Sequence, residues 1–385
     1  AETIKSAGGR ALLVGGSVRD MVMGIVPKDF DVEVYGLPAE KVEEIVCAAG
    51  DVNEVGKSFG ILKINLGNGL DIDVSLPRTD SKIGDGHVDF KVKTDPKMSI
   101  AEAAKRRDFT MNSIAADPLS GELHDPYHGV EDIQNRILRV TDPERFQDDA
   151  LRVLRGVQFI GRFGLEVEKD TAQLMQKMAP LMKNLSKERI LGEWEKLLTQ
   201  SPKPSLGLAA AMTLGILHEI HPQLPPLCET PQEPKWHPEG DVWIHTLMTV
   251  NEAAKIAQRE NLDEKTGFTL MLSSLCHDLG KPTTTEVRDD RLISHAHEPA
   301  AKEPTLQFLD SLGVDNLTRE KVISLVVNHL APTTLYMSET IRGDKVSDGA
   351  IRKLAMRLHP ATIQELVLLC EADHLGRGEF APDQK

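Results

Sequence analysis

Over the first third of the chain, short apolar runs with a period of two alternate with stretches of helical period. ALLV, FDVEVYG, GILKINL and LDIDVSL are β-branched and alternating, whereas KVEEIVCAAG places its apolar residues at helical steps. To about Val140 the chain therefore predicts a mixed α/β domain. From Pro143 the period lengthens. DDALRVLRGVQFIGRF, KDTAQLMQKMAPLMKNL and RILGEWEKLLTQ carry apolar residues every three or four positions, with almost no strand signal. LPPLCETPQEPKWHPEGD, rich in Pro and Glu, predicts a linker or long loop. After it, IHTLMTVNEAAKIAQRE, KTGFTLMLSSLCHDLG, AKEPTLQFLDSL and TIQELVLLCEADHLG return to helical spacing. A mixed N-terminal domain, a helical middle and a helical C-terminal domain are expected, without internal repeats.

Composition adjusts this picture only slightly. A length of 385 residues suits two or three domains. No apolar run is long enough to span a bilayer, and Ala1–Arg10 is polar without a signal-peptide pattern. Cys47, Cys228, Cys276 and Cys370 are scattered and form no CxxC. That pattern suits a reducing cytoplasm and argues against a disulfide frame or a thiolate zinc site. The net charge of −14 disfavours a polyanionic partner at first sight. Binding depends on where charge lies, however, and Arg106, Arg107, Arg136, Arg139, Arg145, Arg152, Arg155, Lys183, Lys187 and Arg189 thicken the middle of the chain.

Candidate chemistry begins at Gly15–Gly16, between a strand and a helix. Glycines there let backbone N–H groups approach an anion such as a triphosphate, though a tight turn needs them equally. On the following strand Asp29 and Asp31 share a face, since the side-chain period is two. Two carboxylates so close repel unless a cation sits between them, or unless both are simply solvated. Asp71 and Asp73 repeat the pattern, and convergent carboxylates of this kind can hold magnesium. KRRDFTMNSIA then predicts an apolar helix containing Asn112, with Arg106, Arg107 and Asp108 at its start.

Taken in order, GGSVRD, KDFDVEV, DIDVSLPR, KRRDFTMNSIA, HDPYHGVEDIQNRILRVTD and DDALRVLRGVQF resemble the bacterial class II tRNA nucleotidyltransferase and poly(A) polymerase family. The resemblance runs motif by motif from Leu12 to Phe163 and more loosely beyond. It implies an α+β chain: a polymerase-beta-like head with a small mixed β-sheet and helices, an all-α neck and body, and an all-α tail. By the same resemblance Gly15, Gly16 and Arg19 contact the incoming triphosphate. Asp29 and Asp31 hold Mg2+, with Asp73 as third catalytic carboxylate, and Arg107, Asp108 and Asn112 recognise ribose. Asp149 and Arg152 read the base edge, with Arg155 as the outer arginine. A carboxylate accepts from the exocyclic amine of C or A and a guanidinium donates to their acceptors, whereas G and U present a carbonyl to the carboxylate. Taken alone, the Asp149–Arg152 spacing equally suits an intrahelical salt bridge. Two departures are mild: Asp148 replaces the usual Glu, and His128 stands where Gly or Asn is common. The full-length loop PRTDSKIGDGHVDFKVKTDPKMSI, which family members adding only C largely lack, implies an enzyme able to add the terminal A.

In the last third His245, His277–Asp278, His297, His329 and Asp373 recur on helical segments. Converging imidazoles and carboxylates suit a divalent transition metal. CHDLGKP resembles the HD phosphohydrolase superfamily, which implies His245, His277, Asp278 and Asp373 as ligands. Lys281 would then stabilise phosphate, with His297 and His329 as auxiliary or second-metal residues. The domains expected are a head at 1–140, a neck and body at 141–232, and an HD domain at 233–385. Together the resemblances imply a cytoplasmic CCA-adding enzyme using tRNA, CTP, ATP and Mg2+, with Ni2+ or Mn2+ in a phosphodiesterase or phosphatase tail. An enzyme adding only A, a poly(A) polymerase and an HD hydrolase with an RNA-sensing head are the alternatives. Loss of nucleotide addition on removing Asp29 and Asp31 separates the last from the others.

Overall fold

A computed structural model describes residues 1–53, 61–65, 71–82 and 90–378. Residues 83–89 of the loop between Asp73 and Lys105 lie outside the described residues, as do Gly60, Leu66 and Leu70 at the ends of two expected strands. The chain forms two compact units. One is Ala1–Arg152 with Leu165–Leu174, the other Val153–Gly164 with the residues from Met175 onward. The division passes through the helix Leu151–Phe163.

The first unit is built on a mixed sheet. Its strands are β1 (Arg10–Val14), β2 (Phe30–Tyr35), β3 (Asp51–Asn53), β4 (Ile61–Asn65) and β5 (Asp71–Ser75). A hairpin of β6 (Arg78–Lys82) and β7 (Phe90–Thr94) stands apart, β8 (Ala115–Ala116) and β9 (Leu123–His124) complete the main sheet, and Ile137–Leu138 pairs separately with Glu166–Val167. The sheet order is β3-β4-β5-β2-β1-β8-β9. β2 and β5 run parallel while the other neighbours are antiparallel. Alternation then decides the faces. Ala11, Val34, Ile64 and Val74 pack against Val42 and Val46 of the helix Ala39–Ala49. Burying each of these valines and the isoleucine contributes about 1.5–3 kcal/mol. Leu12 and Val14 pack on the opposite face with Tyr35, and the pleat places Asp31 and Glu33 on that side too.

KRRDFTMNSIA forms only a 3-10 turn, Thr110–Asn112, rather than the expected helix. The backbone on either side of Phe109 is already committed to the segment 139–141. Thr110 N–H donates to the Arg139 carbonyl at 2.9 Å and Thr141 N–H to the Asp108 carbonyl at 3.1 Å. His128 is left-handed at φ 59°, which explains why Gly or Asn suits that position.

In the second unit the helices Val242–Arg259, Glu264–Cys276 and Ile363–Leu375 pack on one another. Asp241 and Asp263 cap the first two, and Thr362 with Glu365 forms a capping box on the third. One hairpin, Thr285–Arg288 with Arg291–Ser294, interrupts the helical pattern. Asp289 and Asp290 make its turn at φ 51° and 57°, a two-residue loop whose twist matches the strands. From Thr230 to Asp241 the Pro- and Glu-rich segment is a long loop, one of the two forms expected for it. It opens with a 3-10 turn, Pro225–Glu229, and Leu224 and Leu227 are fully buried.

Candidate functional site

In the head, the parallel pairing of β2 and β5 sets Asp31 directly opposite Asp73. The crowding of protein around Asp31 raises its pKa; Arg107 pulls it down and the Asp73 charge pushes it up again. One oxygen of Asp73 is buried without a hydrogen bond. Lys63 of β4 lies 3.8 Å from that same oxygen, Oδ1. Asp29, one residue before β2, is exposed. A repelling carboxylate pair with an unsatisfied oxygen fits a hard divalent cation.

Gly15 adjoins this pair. It has φ +72°, and a Cβ there would lie 2.7 Å from Arg107 Nη1 and 3.3 Å from Asp31 Oδ2. Arg107 is held in turn by Glu33, which is 2% exposed and accepts from Arg106 at 2.5 Å, Arg107 at 3.1 Å and the Tyr35 hydroxyl at 2.9 Å. Burial alone would raise the Glu33 pKa, but Arg107 and Arg106 hold it below the usual range.

A second network links the other motif residues. Arg19 donates to Asp20 at 2.8 and 2.6 Å and to Asn112 Oδ1 at 2.9 Å. Asn112 Nδ2 then donates to Asp108 Oδ1 at 2.9 Å. A Cβ on Gly16 would meet Arg19 Nη2 at 3.5 Å.

Asp149 stands two residues before the helix Leu151–Phe163 and accepts from Leu151 N–H at 3.0 Å. Arg152 donates to the carbonyls of Arg145 at 2.7 Å and Arg106 at 2.6 Å, which ties it to KRRD. Arg155, one turn on, lies with its guanidinium 5.4 Å from the Phe159 ring centre.

The C-terminal residues converge. Nδ1 of His277, His297 and His329 faces the carbonyls of Ser274, Ser294 and Val326 at 2.8, 2.8 and 2.7 Å. A carbonyl only accepts, so each Nδ1 carries a proton and each ring turns its Nε2 away from the backbone, free to act as a ligand when unprotonated. His277 Nε2 lies 3.2 Å from Asp278 Oδ2, and His297 Nε2 lies 3.4 Å from Asp278 Oδ1 and 3.2 Å from His329 Nε2. His277 Nε2 and both Asp278 carboxylate oxygens are buried without a hydrogen bond. Lone pairs aimed at one another over such distances fit a bound cation. Among the described residues two ligand triads share Asp278, namely His245, His277, Asp278 and Asp278, His297, His329, each with ligand atoms within 4.8 Å of one another.

Asp373 Oδ1 lies 3.0 Å from His245 Nε2, and Lys281 Nζ lies 2.8 Å from Asp278 Oδ2. Burial opposes ionisation of Asp278, but His277 and Lys281 hold its pKa well down. Burial likewise opposes ionisation of Asp373, but His245, His277 and His329 together hold its pKa well down. His245 is pushed up to about 9 by Asp373 and Glu239 against its burial, and His329 is pushed down to about 4, chiefly by burial.

Several residues that serve these sites were not singled out from sequence. Glu33 stands one strand step from Asp31 on the same face, and Lys63 faces Asp73 from the neighbouring strand. Gln232, His237 and Glu239 belong to the segment read as a linker or long loop, where the only signal was two titratable residues in HPEG.

A carboxylate pair beside a glycine turn on a mixed sheet, together with a buried His–Asp cluster on helices, defines a class: a polymerase-type head joined to an HD domain. Comparison with known proteins agrees. The profile "Poly A polymerase head domain" matches residues 11–139, "Probable RNA and SrmB- binding site of polymerase A" matches 164–228, and "HD domain" matches 242–378. The Multifunctional CCA protein of Xanthomonas campestris pv. campestris (strain B100) is 34% identical over 95% of this chain and 85% of its own. That of Vibrio parahaemolyticus serotype O3:K6 is 32% identical over the same shares. The chain belongs to the family of multifunctional CCA proteins. A CCA-adding enzyme in an apo form shares its fold with a TM-score of 0.64 at 19% identity, covering 97% of this chain and 76% of that one. The Thermotoga maritima CCA-adding enzyme, solved in complex with tRNA, gives 0.61 at 20% identity over 96% and 75%.

Proposed function

We propose that this chain builds the CCA end of tRNA, transferring CMP, CMP and AMP from CTP and ATP without a nucleic-acid template. Its HD cluster is proposed to hydrolyse phosphate esters. In the head reaction the tRNA 3′ hydroxyl attacks the α-phosphorus, the bond to pyrophosphate breaks, and the hydroxyl proton passes to solvent. The observation that carries this reading is the Asp31–Asp73 pair, opposed on parallel strands beside the Gly15 turn and Arg107. Asp31 and Asp73, with Asp29, are the proposed holders of Mg2+, which when bound activates the attacking hydroxyl and stabilises the leaving pyrophosphate. Gly15 and Gly16 leave room for the triphosphate, Arg19 supplies charge to it, and Arg107, fixed by Glu33, is assigned to the ribose. Asp108 and Asn112 are assigned to the ribose, and Asp149, Arg152 and Arg155 to the base. The head is assigned to residues 1–140, the neck and body to 141–232, and the HD domain to 233–385.

In the HD domain His245, His277, Asp278 and Asp373 are the proposed ligands, with His297 and His329 serving a second position and Lys281 the phosphate. Imidazole and carboxylate donors suit Ni2+ or Mn2+, which supplies a bound water of lowered pKa. The proposed compartment is the cytoplasm; among the described residues no helix is long and apolar enough to cross a membrane.

The test uses three radiolabelled tRNAs, ending before CCA, after C and after CC. Each is incubated with Mg2+ and CTP, ATP or both, then sized on a sequencing gel. Three residues added to the bare end, and no more, is the expected result. Extension of the CC-ended tRNA alone means an A-adding enzyme, a long A ladder means a poly(A) polymerase, and no extension overturns the reading.

A further inference from the structure

The segment between the body and the helix Val242–Arg259 is closed on itself. Val242 N–H donates to the Thr230 carbonyl at 3.1 Å, and Gln232 Nε2 donates to the Asp241 carbonyl at 3.2 Å. Glu233 Oε2 accepts from Leu292 N–H at 3.1 Å, which pins the segment to the hairpin. So braced, it delivers two side chains to the His–Asp cluster. Gln232 Oε1 accepts from Lys281 Nζ at 2.7 Å. Glu239 Oε1 accepts from Nδ1 of His245 and of His237, both at 2.9 Å.

Glu239 is the unusual member. Its side chain is only 2% exposed, and a carboxylate removed from water costs several kcal/mol unless it is paired and hydrogen-bonded. Its partners are two imidazole N–H groups through one oxygen, while Oε2 has no hydrogen bond. The His245 ring is fully buried, with Glu239 on its Nδ1 side and Asp373 on its Nε2 side. His277, His297 and His329 are oriented by backbone carbonyls, so His245 is the ring of this cluster oriented by an anion. A carboxylate on the far nitrogen fixes the tautomer and makes Nε2 a stronger donor than a carbonyl does.

We propose that Glu239 is a positioning residue: it holds the Nδ1 proton of His245 and so presents Nε2 as a strengthened ligand to a divalent transition cation. This rests on the reading that the His–Asp cluster binds such an ion. His237, Glu239 and His245 also have ligand atoms within 4.8 Å of one another, and the proposal assigns Glu239 to the His245 proton rather than to an ion of its own. The segment that carries it is then a wall of the hydrolytic site, and its His237 a second anchor for the same carboxylate.

The test is calorimetric titration of the full chain, stripped with chelator, with Ni2+. Glu239→Gln keeps the shape and removes the charge. It is expected to raise the Ni2+ dissociation constant about 10- to 100-fold. In a His245→Ala background the same substitution is expected to change the constant less than twofold, because its effect passes through that ring. Cooperative thermal unfolding of the metal-free variant shows that it is folded; should Glu239→Gln not fold, Glu239→Asp, which is too short to reach His245, is expected to follow the same pattern. Binding lost in Asp278→Ala but unchanged in Glu239→Gln overturns the positioning role and leaves the cluster's reading standing. An equal loss with and without His245 overturns it too. A wild-type chain that binds no Ni2+ overturns both.

Discussion

Gly15 shows what a single missing side chain does at a site. At φ +72° an L-residue is strained by about 1–3 kcal/mol, and its Cβ would press on the Arg107 guanidinium beside Asp31. Gly15→Ala is therefore expected to lower nucleotide addition about 100-fold while the chain stays folded, since a displacement near 1 Å costs that much at a reacting centre. Single-turnover extension of a CC-ended tRNA, with circular dichroism alongside, checks this. A loss of stability with an unchanged rate would mean that Gly15 only makes a turn. At this scale Asp31 and Asp73 were legible as strand residues from the alternation around them, whereas Asp29, expected on the same strand, falls one residue before it. The role of Glu33 was not legible: it shares the face of Asp31, but only folding brings Arg106 and Arg107 against it from seventy-odd residues away.

At the scale of elements, long periodic runs read well. The helix bearing His245 has an apolar stripe, and both it and the helix bearing Asp373 have polar caps that local chemistry specifies. KRRDFTMNSIA read badly because pairing with residues 139–141 overrides its helical pattern. Packing also creates an acid-sensitive joint among elements of the second unit. His221 is buried against Trp194 and Phe308, its Nδ1 lies 3.0 Å from Ser311 Oγ, and burial pushes its pKa down to about 3. The unfolded chain takes up this proton near pH 6.5 and the folded chain only near 3. Stability is thus intact above pH 6.5 and declines as pH falls through that window, by about 2 kcal/mol at pH 5 from this group. Thermal melts at pH 7.5 and pH 5 are expected to differ more for the wild type than for His221→Phe; equal shifts would remove His221 as a cause.

For the molecule as a whole, the two sites fall in different compact units and use different donors. Asp31→Asn is expected to abolish tRNA extension and spare metal-dependent hydrolysis of bis(p-nitrophenyl) phosphate. Asp278→Asn is expected to do the reverse, and a chelator to stop both. Loss of both activities in either variant, with the fold intact, would mean that the units do not work separately.

The succession of periods, the order of the motifs and the residue types at both sites were written in the sequence, because spacing and side-chain chemistry are local properties. Tertiary structure alone decided that Asp31 meets Asp73, that Glu33 takes two arginines and that a Pro-rich stretch walls the His–Asp cluster. Those pairings depend on strand register and on which surfaces bury one another, and no single stretch of chain contains that information.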